Sequence, residues 1–452
     1  MNQYIIVGII VVALVALLGT NKKLVETLKN IFKIEELRQR ILFTLGLLLI
    51  YRLGSFVTLP GVDHSVLQAW TENFAKDANS LMGLLNIFSG GAFSQASIFA
   101  LGVMPYITAS IIIQLLGIMV PYFRKMQREG ESGRRKMNQW TRFLTIAVLL
   151  LQAPAYLGTQ VLRWDVVERN GDFLGITHGE FIIPAVIVLI AGTMFIMWLG
   201  EKITDKGIGN GVSLIIMIGI VARLPQALWA EATSSNVILF IVELIFLALV
   251  FMLAIAIVQA VRRIPVQYAK RIVGNKQYGG VRQYIPLKLN AANVMPIIFA
   301  QALMFIPGLI SNNPAWTSIN GWGYNVALVV MVIAFTYFYT AIIVNPQMMA
   351  DDMKRNGGFI PGVKPGKSTV KYIDDVMTRI TLPGSIFLAL ITVLPAIAMT
   401  VGINQSFAYF FGGTSLLIMV GVVLDTLKQI ESYLLMRHYD GLMKTGRIQG
   451  RY

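Results

Sequence analysis

A chain of 452 residues that is 56% hydrophobic and 13% charged, with a mean hydropathy of +0.66, repeats apolar runs along its whole length in a way no soluble fold could bury. The absence of cysteine excludes disulfides and thiolate metal centres, and the three histidines, His64, His178 and His438, lie outside the apolar runs. A formal net charge of +15 invites a nucleic-acid reading, but in a membrane chain the position of the charges matters more than their sum.

The first run, residues 4–18, sits in an uncharged stretch 1–21 just long enough to cross a hydrocarbon core. It has no basic leader or small-residue cleavage site, and Lys22, Lys23, Lys29 and Lys33 follow it. This arrangement favours an outside N-terminus and an inside, surface-lying amphipathic segment over 21–40. Ten further spans are expected at 41–59, 98–120, 139–157, 181–199, 212–224, 237–258, 291–310, 324–344, 380–399 and 407–427. Lys and Arg concentrate in alternate connections: Arg124 to Lys136, Lys202 and Lys206, Arg262 to Lys288, Lys354 to Arg379, and the tail from Arg437. The intervening connections hold only Lys76, Arg163, Arg169 and Arg223, which puts the C-terminus inside.

One stretch departs from simple spans. Residues 84–88 are apolar, Ser89-Gly90-Gly91 interrupts them, and an apolar run restarts at Ile98 with Pro105 in its first half. Non-helical backbone at membrane depth is tolerated where protein covers it or where it faces a water-filled cavity, so the break reads either as a re-entrant element beside a pore or as an exterior loop before an ordinary span. Two inside connections also exceed what topology needs. Residues 262–288 carry seven basic and no acidic residues with Tyr268, Tyr278 and Tyr284 interleaved. Residues 345–379 are long and marked by Gly357-Gly358, Pro361-Gly362 and Pro365-Gly366 turn signals. Such faces suit docking of ribosomal RNA or of an acidic protein surface; simple anchoring explains their sign but not their length.

The chain divides into the first run 1–21, a half 22–230, a half 231–434 and a tail 435–452, with five spans in each half. Two such halves in one membrane would be inverted repeats with a pathway at their interface. No zinc-hydrolase, serine-hydrolase or P-loop pattern is present, so the chain is expected not to be an enzyme and to need no cofactor. Ionisable groups inside the expected spans are few: Arg52, Arg142, Glu243 and Asp425, the last with Lys428 one turn on and suited to an ion pair. An ion-coupled secondary transporter with inverted repeats is the alternative, but it should bring ionisable residues together near the break, where this chain has aliphatics, Gly and Ser/Thr.

Seven motifs stand in order: NIFSGGAFSQASIFALGVMPYITASIIIQLL (86–116), REGESGRRK (128–136), MWLGEKITDKGIGNGVSLII (197–216), YAKR (268–271), PLKLN (286–290), NPQMMADDMKRNGGFIPGVKPGKST (345–369) and YFFGGTSLLI (409–418). Together they resemble the SecY family of protein-translocase channels over roughly residues 29–452. The resemblance implies an all-α ten-helix clamshell of two inverted five-helix halves with a re-entrant plug half-helix in the bacterial inner membrane; the first run has no counterpart in that plan and reads as an extra N-terminal apolar helix, a fusion scar or a misassigned start. It implies the small subunits SecE and SecG, the SecA ATPase or the ribosome as driving partners, and signal peptides, nascent chains and membrane lipids as the groups handled.

By motif position the resemblance carries over a plug half-helix at 84–95, with Leu85, Ile87, Phe88, Ser89, Gly90 and Gly91, and a gate wall at 98–116. It places a pore ring at Val103, Ile107, Val212, Ile216, Ile298 and Ile418, and lateral-gate polar residues at Thr108, Gln114 and Asn290. Docking of SecA or the ribosome falls to Arg262, Arg263, Lys270, Arg271 and Lys276, and to Lys354, Arg355, Lys364 and Lys367. Bulky aliphatic side chains around a narrow neck leave ions unsolvated, yet yield around a varied polypeptide because dispersion contacts need no particular partner. Lys364 stands where the family has Arg, which keeps the charge and loses the planar fork; Asn275-Lys276 replaces a frequent Arg pair.

Overall fold

In the computed structural model, residues 34–62, 86–161, 178–268, 271–273, 276–278, 282–304, 318 and 320–444 are described. The first run 1–21, the expected surface segment before Ile34, Leu85 and Lys270 lie outside them. Two compact units emerge, one formed by Met1–Val237 with Val422–Tyr452 and the other by Ile238–Gly421.

The first unit contains α1 (Glu35–Gly54), α2 (Met104–Met119), α3 (Pro121–Arg128), α4 (Glu131–Tyr156) with a π turn at Leu157–Val161, α5 (His178–Lys206) and α6 (Gly211–Ser234). The second contains α7 (Val237–Gln259) from its second residue, strands β1 (Val261–Tyr268), β2 (Arg271–Val273), β3 (Lys276–Tyr278) and β4 (Arg282–Lys288), then α8 (Met295–Leu303), α9 (Trp322–Ile343), α10 (Pro346–Arg355), β5 (Gly358–Phe359), α11 (Lys367–Val401) and α12 (Gln405–Ala408). The last helix, α13 (Gly413–Lys444), gives its first nine residues to the second unit and the remainder to the first.

Among the described residues, six helices are long and apolar enough to cross a membrane, or seven if α2 and α3 count as one broken span bent by 101°. That break falls at Val120, which is extended, with Pro121 opening α3. Helices α1 and α4 occupy the expected spans 41–59 and 139–157 but carry Arg52 and Arg142 and are not among the six. On α7, Ile238, Ile245 and Met252 share one face at 79%, 64% and 67% exposure, the stripe a lipid-facing helix presents.

The break expected at 84–98 is deeper than a plug half-helix joined to a long wall helix. Among the described residues of this stretch, 86–88 are helical and 89–103 run as successive turns before α2 starts at Met104. Pro105 explains the late start: it belongs in the first turn of a helix, where its missing N–H is no loss, so it opens α2 instead of kinking a span begun at Ile98. Gly90, Gly91 and Gly102 all have positive φ, and Asn86, Ser89 and Ser94 bond local backbone with their side chains, a competition that disfavours helix.

The two long basic connections are also more ordered than their turn signals suggest. Strand β1 pairs antiparallel with β4 from Val261↔Lys288 to Gln267↔Arg282 and with β5 through Gln267↔Phe359 and Tyr268↔Gly358. Ile264, Val266 and Leu287 from the sheet pack with Met353, Ile360, Ile373 and Met377 into one buried cluster. Asn345 caps α10 by accepting from the Gln347 and Met348 amides at 3.1 and 3.2 Å, worth about 1 kcal/mol. Ion pairs among the described residues include Arg40–Glu36, Arg135–Glu131, Lys136–Glu129 and Arg142–Glu201. The expected Asp425–Lys428 pair does not form, and Arg142 finds its partner across on α5.

Candidate functional site

The segment 86–103 is irregular yet almost wholly buried in the first unit. Ser89, Phe93, Ser94, Ala96 and Ser97 are at most 5% exposed. Buried irregular backbone must find hydrogen-bond partners or lose several kcal/mol, and here the partners can be followed one by one. Within the segment, the Gly91 amide donates to the Asn86 carbonyl at 2.9 Å, the Ser94 amide to Asn86 Oδ1 at 3.1 Å, and the Phe93 amide to Ser89 Oγ at 3.0 Å. The far end is stitched to the chain that follows α1: the Leu59 amide donates to the Ala96 carbonyl and the Ile98 amide to the Val57 carbonyl, both at 2.9 Å.

Side chains of three helices complete the hold. From α1, Arg52 Nη1 donates to the Gly90 carbonyl at 2.9 Å and the Tyr51 hydroxyl lies 3.5 Å from the Ser89 carbonyl. From α4, the Tyr156 hydroxyl donates to the Phe93 carbonyl at 2.7 Å. From α6, Arg223 Nη2 donates to Asn86 Oδ1 at 3.2 Å and to Ser94 Oγ at 3.3 Å. Apolar packing joins in, since Phe93, Ala96 and Ala100 share a core with Leu59, Ala153, Tyr156, Leu157, Phe181 and Leu189.

Close approach explains the glycines. A Cβ on Gly90 would meet Gly219 Cα of α6 at 2.8 Å, and a Cβ on Gly219 would meet the Phe88 carbonyl oxygen at 3.0 Å. A Cβ on Gly91 would run into the Arg223 guanidinium, and one on Gly192 of α5 into the Ile98 carbonyl. The pair at 90–91 therefore serves packing and a left-handed turn together, a requirement that hinge mobility alone would not impose.

The segment leads directly into α2. Val103 immediately precedes that helix and Ile107 follows four residues on, so both lie on one face; Val212 and Ile216 repeat the spacing on α6. Val103 and Ile216 are buried at 6% and 9% exposure, and Ile107 and Val212 are half-buried. The register of Val212 is set by the loop before it. The Ile208 amide donates to Thr44 Oγ1 at 3.1 Å, the Gly209 amide to Gln429 Oε1 at 2.8 Å and the Gly211 amide to Thr204 Oγ1 at 2.9 Å, and Asn210 caps α6 through the Ser213 amide. In the second unit Ile298 lies half-buried on α8 and Ile418 buried on α13. There Thr414 Oγ1 meets Gln301 Oε1 at 2.8 Å, tying α13 to α8.

Of the gate residues, Thr108 bonds the Met104 carbonyl of its own helix at 3.1 Å and Gln114 is half-buried on α2. Asn290 is 4% exposed, and its Oδ1 has no hydrogen-bond partner among the described residues. Of the docking residues, Arg262, Arg263, Lys354, Arg355, Lys364 and Lys367 are exposed, on or beside the sheet and helices of the second unit, while Arg271 and Lys276 lie in the β2–β3 hairpin. Sequence reasoning missed Arg52, Arg223, Tyr51 and Tyr156, whose partners lie 38 to 137 positions away. Arg52 alone carried a signal, as a charge inside an apolar run.

A family model described as SecY matches residues 97–427. The protein translocase subunit SecY of Streptomyces coelicolor is 44% identical over 440 residues, covering 91% of this chain and 98% of that protein. Among solved structures, one described as a protein conducting channel aligns with a TM-score of 0.58 at 18% identity, covering 87% of this chain and 91% of the other. Sec61 in the canine ribosome–channel complex aligns at 0.54 and 16%, with the same coverage. Those structural likenesses speak to the fold, and the relative at 44% identity, with the match to residues 97–427, speaks to descent: this chain belongs to the SecY family.

Proposed function

We propose that this chain is the pore subunit of a Sec translocon in the bacterial inner membrane, passing unfolded secretory polypeptides across and releasing apolar segments sideways into lipid. The observation that carries the reading is the buried, irregular segment 86–103, whose backbone is satisfied by side chains of α1, α4 and α6. Non-helical backbone at membrane depth is tolerated only where protein covers it or where it lines a water-filled cavity, and a pore-blocking element in its resting place meets that condition. In this account the segment is the plug, hinged near Ser89-Gly90-Gly91. Val103, Ile107, Val212, Ile216, Ile298 and Ile418 form the aliphatic neck, and Thr108, Gln114 and Asn290 line the lateral gate.

The ten spans following the first run form two inverted halves, and the C-terminus is cytoplasmic. The exposed basic residues around the β1–β4 sheet and α10 receive SecA or the ribosome, and SecE and SecG complete the complex. Support for the docking role comes from the buried cluster beneath the sheet: a charged face held on a rigid core presents its cations in fixed positions, which favours recognition over loose anchoring. A secondary transporter fits less well, since the groups meeting at the break are arginines bonded to carbonyl, amide and hydroxyl oxygens and no carboxylate joins the bonds described there.

Depleting the protein from growing cells tests the proposal. Secretory precursors with uncleaved signal peptides should accumulate inside; a selective change in the uptake of one solute with normal precursor processing would instead favour the transporter.

A further inference from the structure

Arg52 and Arg223 reach the segment 86–94 from different helices, and both end on the turn that contains Gly90 and Gly91. Arg52 Nη1 bonds the Gly90 carbonyl at 2.9 Å, with the Ser55 hydroxyl 3.5 Å away, and its guanidinium lies over the Phe56 ring at 4.9 Å. Arg223 Nη2 bonds Asn86 Oδ1 at 3.2 Å and Ser94 Oγ at 3.3 Å, so one guanidinium ties together the first and last residues of the turn. Asn86 Oδ1 also accepts the Ser94 amide at 3.1 Å, making that single oxygen the junction between the turn's internal bonding and its attachment to α6.

We infer that Arg52 and Arg223 are a two-point latch that positions the turn 86–94 in its seated state, with Asn86 as the keeper. The inference rests on reading the segment as a plug. Both cations are half-buried, and the acceptors in these bonds are a carbonyl, an amide oxygen and a hydroxyl. Hydrogen bonds from a guanidinium to neutral oxygens are firmer than neutral pairs but weaker than a buried ion pair. A latch made this way holds the resting state and still lets go, because water can take over each freed donor and acceptor once the turn moves into a hydrated pore. A carboxylate at the keeper position would convert the contact into an ion pair and make release harder. The charge at residue 86 therefore sets the strength of the hold in a predictable direction.

The chain has no cysteine, so Phe88→Cys supplies one reactive thiol on the turn without background. The test measures its alkylation by a membrane-impermeant maleimide in the complete complex in membranes, at rest and with an arrested precursor engaged. Arg52→Gln and Arg223→Gln should each raise resting alkylation roughly tenfold, the order expected for losing a charge-assisted bond. Asn86→Asp should lower it below the parent. The double variant Arg223→Lys with Asn86→Asp should return it near the parent level, which a merely damaged fold would not do. If Asn86→Asp raises alkylation as the arginine variants do, or if none of the substitutions changes it while precursor engagement still does, the latch is overturned. If precursor engagement leaves Cys-labelled position 88 unchanged in the parent, the plug reading falls and the latch with it.

Discussion

Gly219→Ala separates the seating of the irregular segment from the stability of the helix that carries it. A methyl at 219 would lie 3.0 Å from the Phe88 carbonyl oxygen and 3.3 Å from the Gly90 amide nitrogen, tighter than ordinary contact, so the turn must retreat by a few tenths of an ångström. Overpacking of this kind costs about 1–3 kcal/mol. Replacing Gly by Ala inside α6 favours the helix by about 0.8–1 kcal/mol, so the helix gains while the turn is pushed off. The helix gain is common to both states, so the whole overpacking cost of about 1–3 kcal/mol falls on seating and raises the unseated population by about 5–150-fold. Single-channel conductance of the reconstituted complex in planar bilayers, without precursor, reads this directly as more frequent openings. Gly46→Ala on α1 is the control, since nothing lies within 4 Å of its added methyl, and its resting conductance should equal the parent's. Unchanged conductance in Gly219→Ala and in the bulkier Gly219→Val would refute the reasoning, because neither could then be displacing a sealing element.

Ile418→Ser and Ile216→Ser, which place a hydroxyl on the proposed neck, should each raise ion leak through the resting protein; unaltered conductance across both would remove the ring assignment. Tyr156→Phe deletes the 2.7 Å bond to the Phe93 carbonyl, so thermal unfolding in detergent should register a loss of about 0.5–1.5 kcal/mol. A disulfide tethering Phe88→Cys to a cysteine engineered elsewhere on the wall around the segment should block precursor transport until reduced; transport with the tether intact would exclude movement of the turn. Charge reversal at Arg262 and Arg263, both exposed, should weaken binding of SecA or ribosomes, and binding by the parent should fall with rising salt; salt-independent binding would move the docking face elsewhere.

Apolar runs long enough to span were legible because hydrophobicity alone marks them, and α5, α6, α7, α9, α11 and α13 lie where those runs fall. The sheet was hidden by charge. Ile264, Val266 and Tyr268 alternate as a strand should, but the dense Lys and Arg around them read as a solvated connection, and the cluster that buries Ile264 and Val266 draws Met353 and Ile373 from far along the chain. The start of α2 was within reach of sequence reasoning, because Pro105 fits a first turn better than a span interior. The clasp on 86–97 was not. Arg223 looked like an outside-loop charge, yet it sits on α6 and reaches back to Asn86 and Ser94, a contact that no local pattern encodes. The aliphatic ring residues stood out only through motif register, since an Ile or Val in a span is otherwise ordinary.

The central claim is that this chain conducts polypeptides. Its most direct test reconstitutes the purified protein with its small subunits into liposomes and supplies SecA, ATP and a secretory precursor, then adds protease outside. The account predicts that precursor becomes protease-protected only with this chain and ATP present, and that protection disappears when Phe88→Cys is tethered. Equal protection in vesicles lacking the chain, or none with every component supplied, would contradict it.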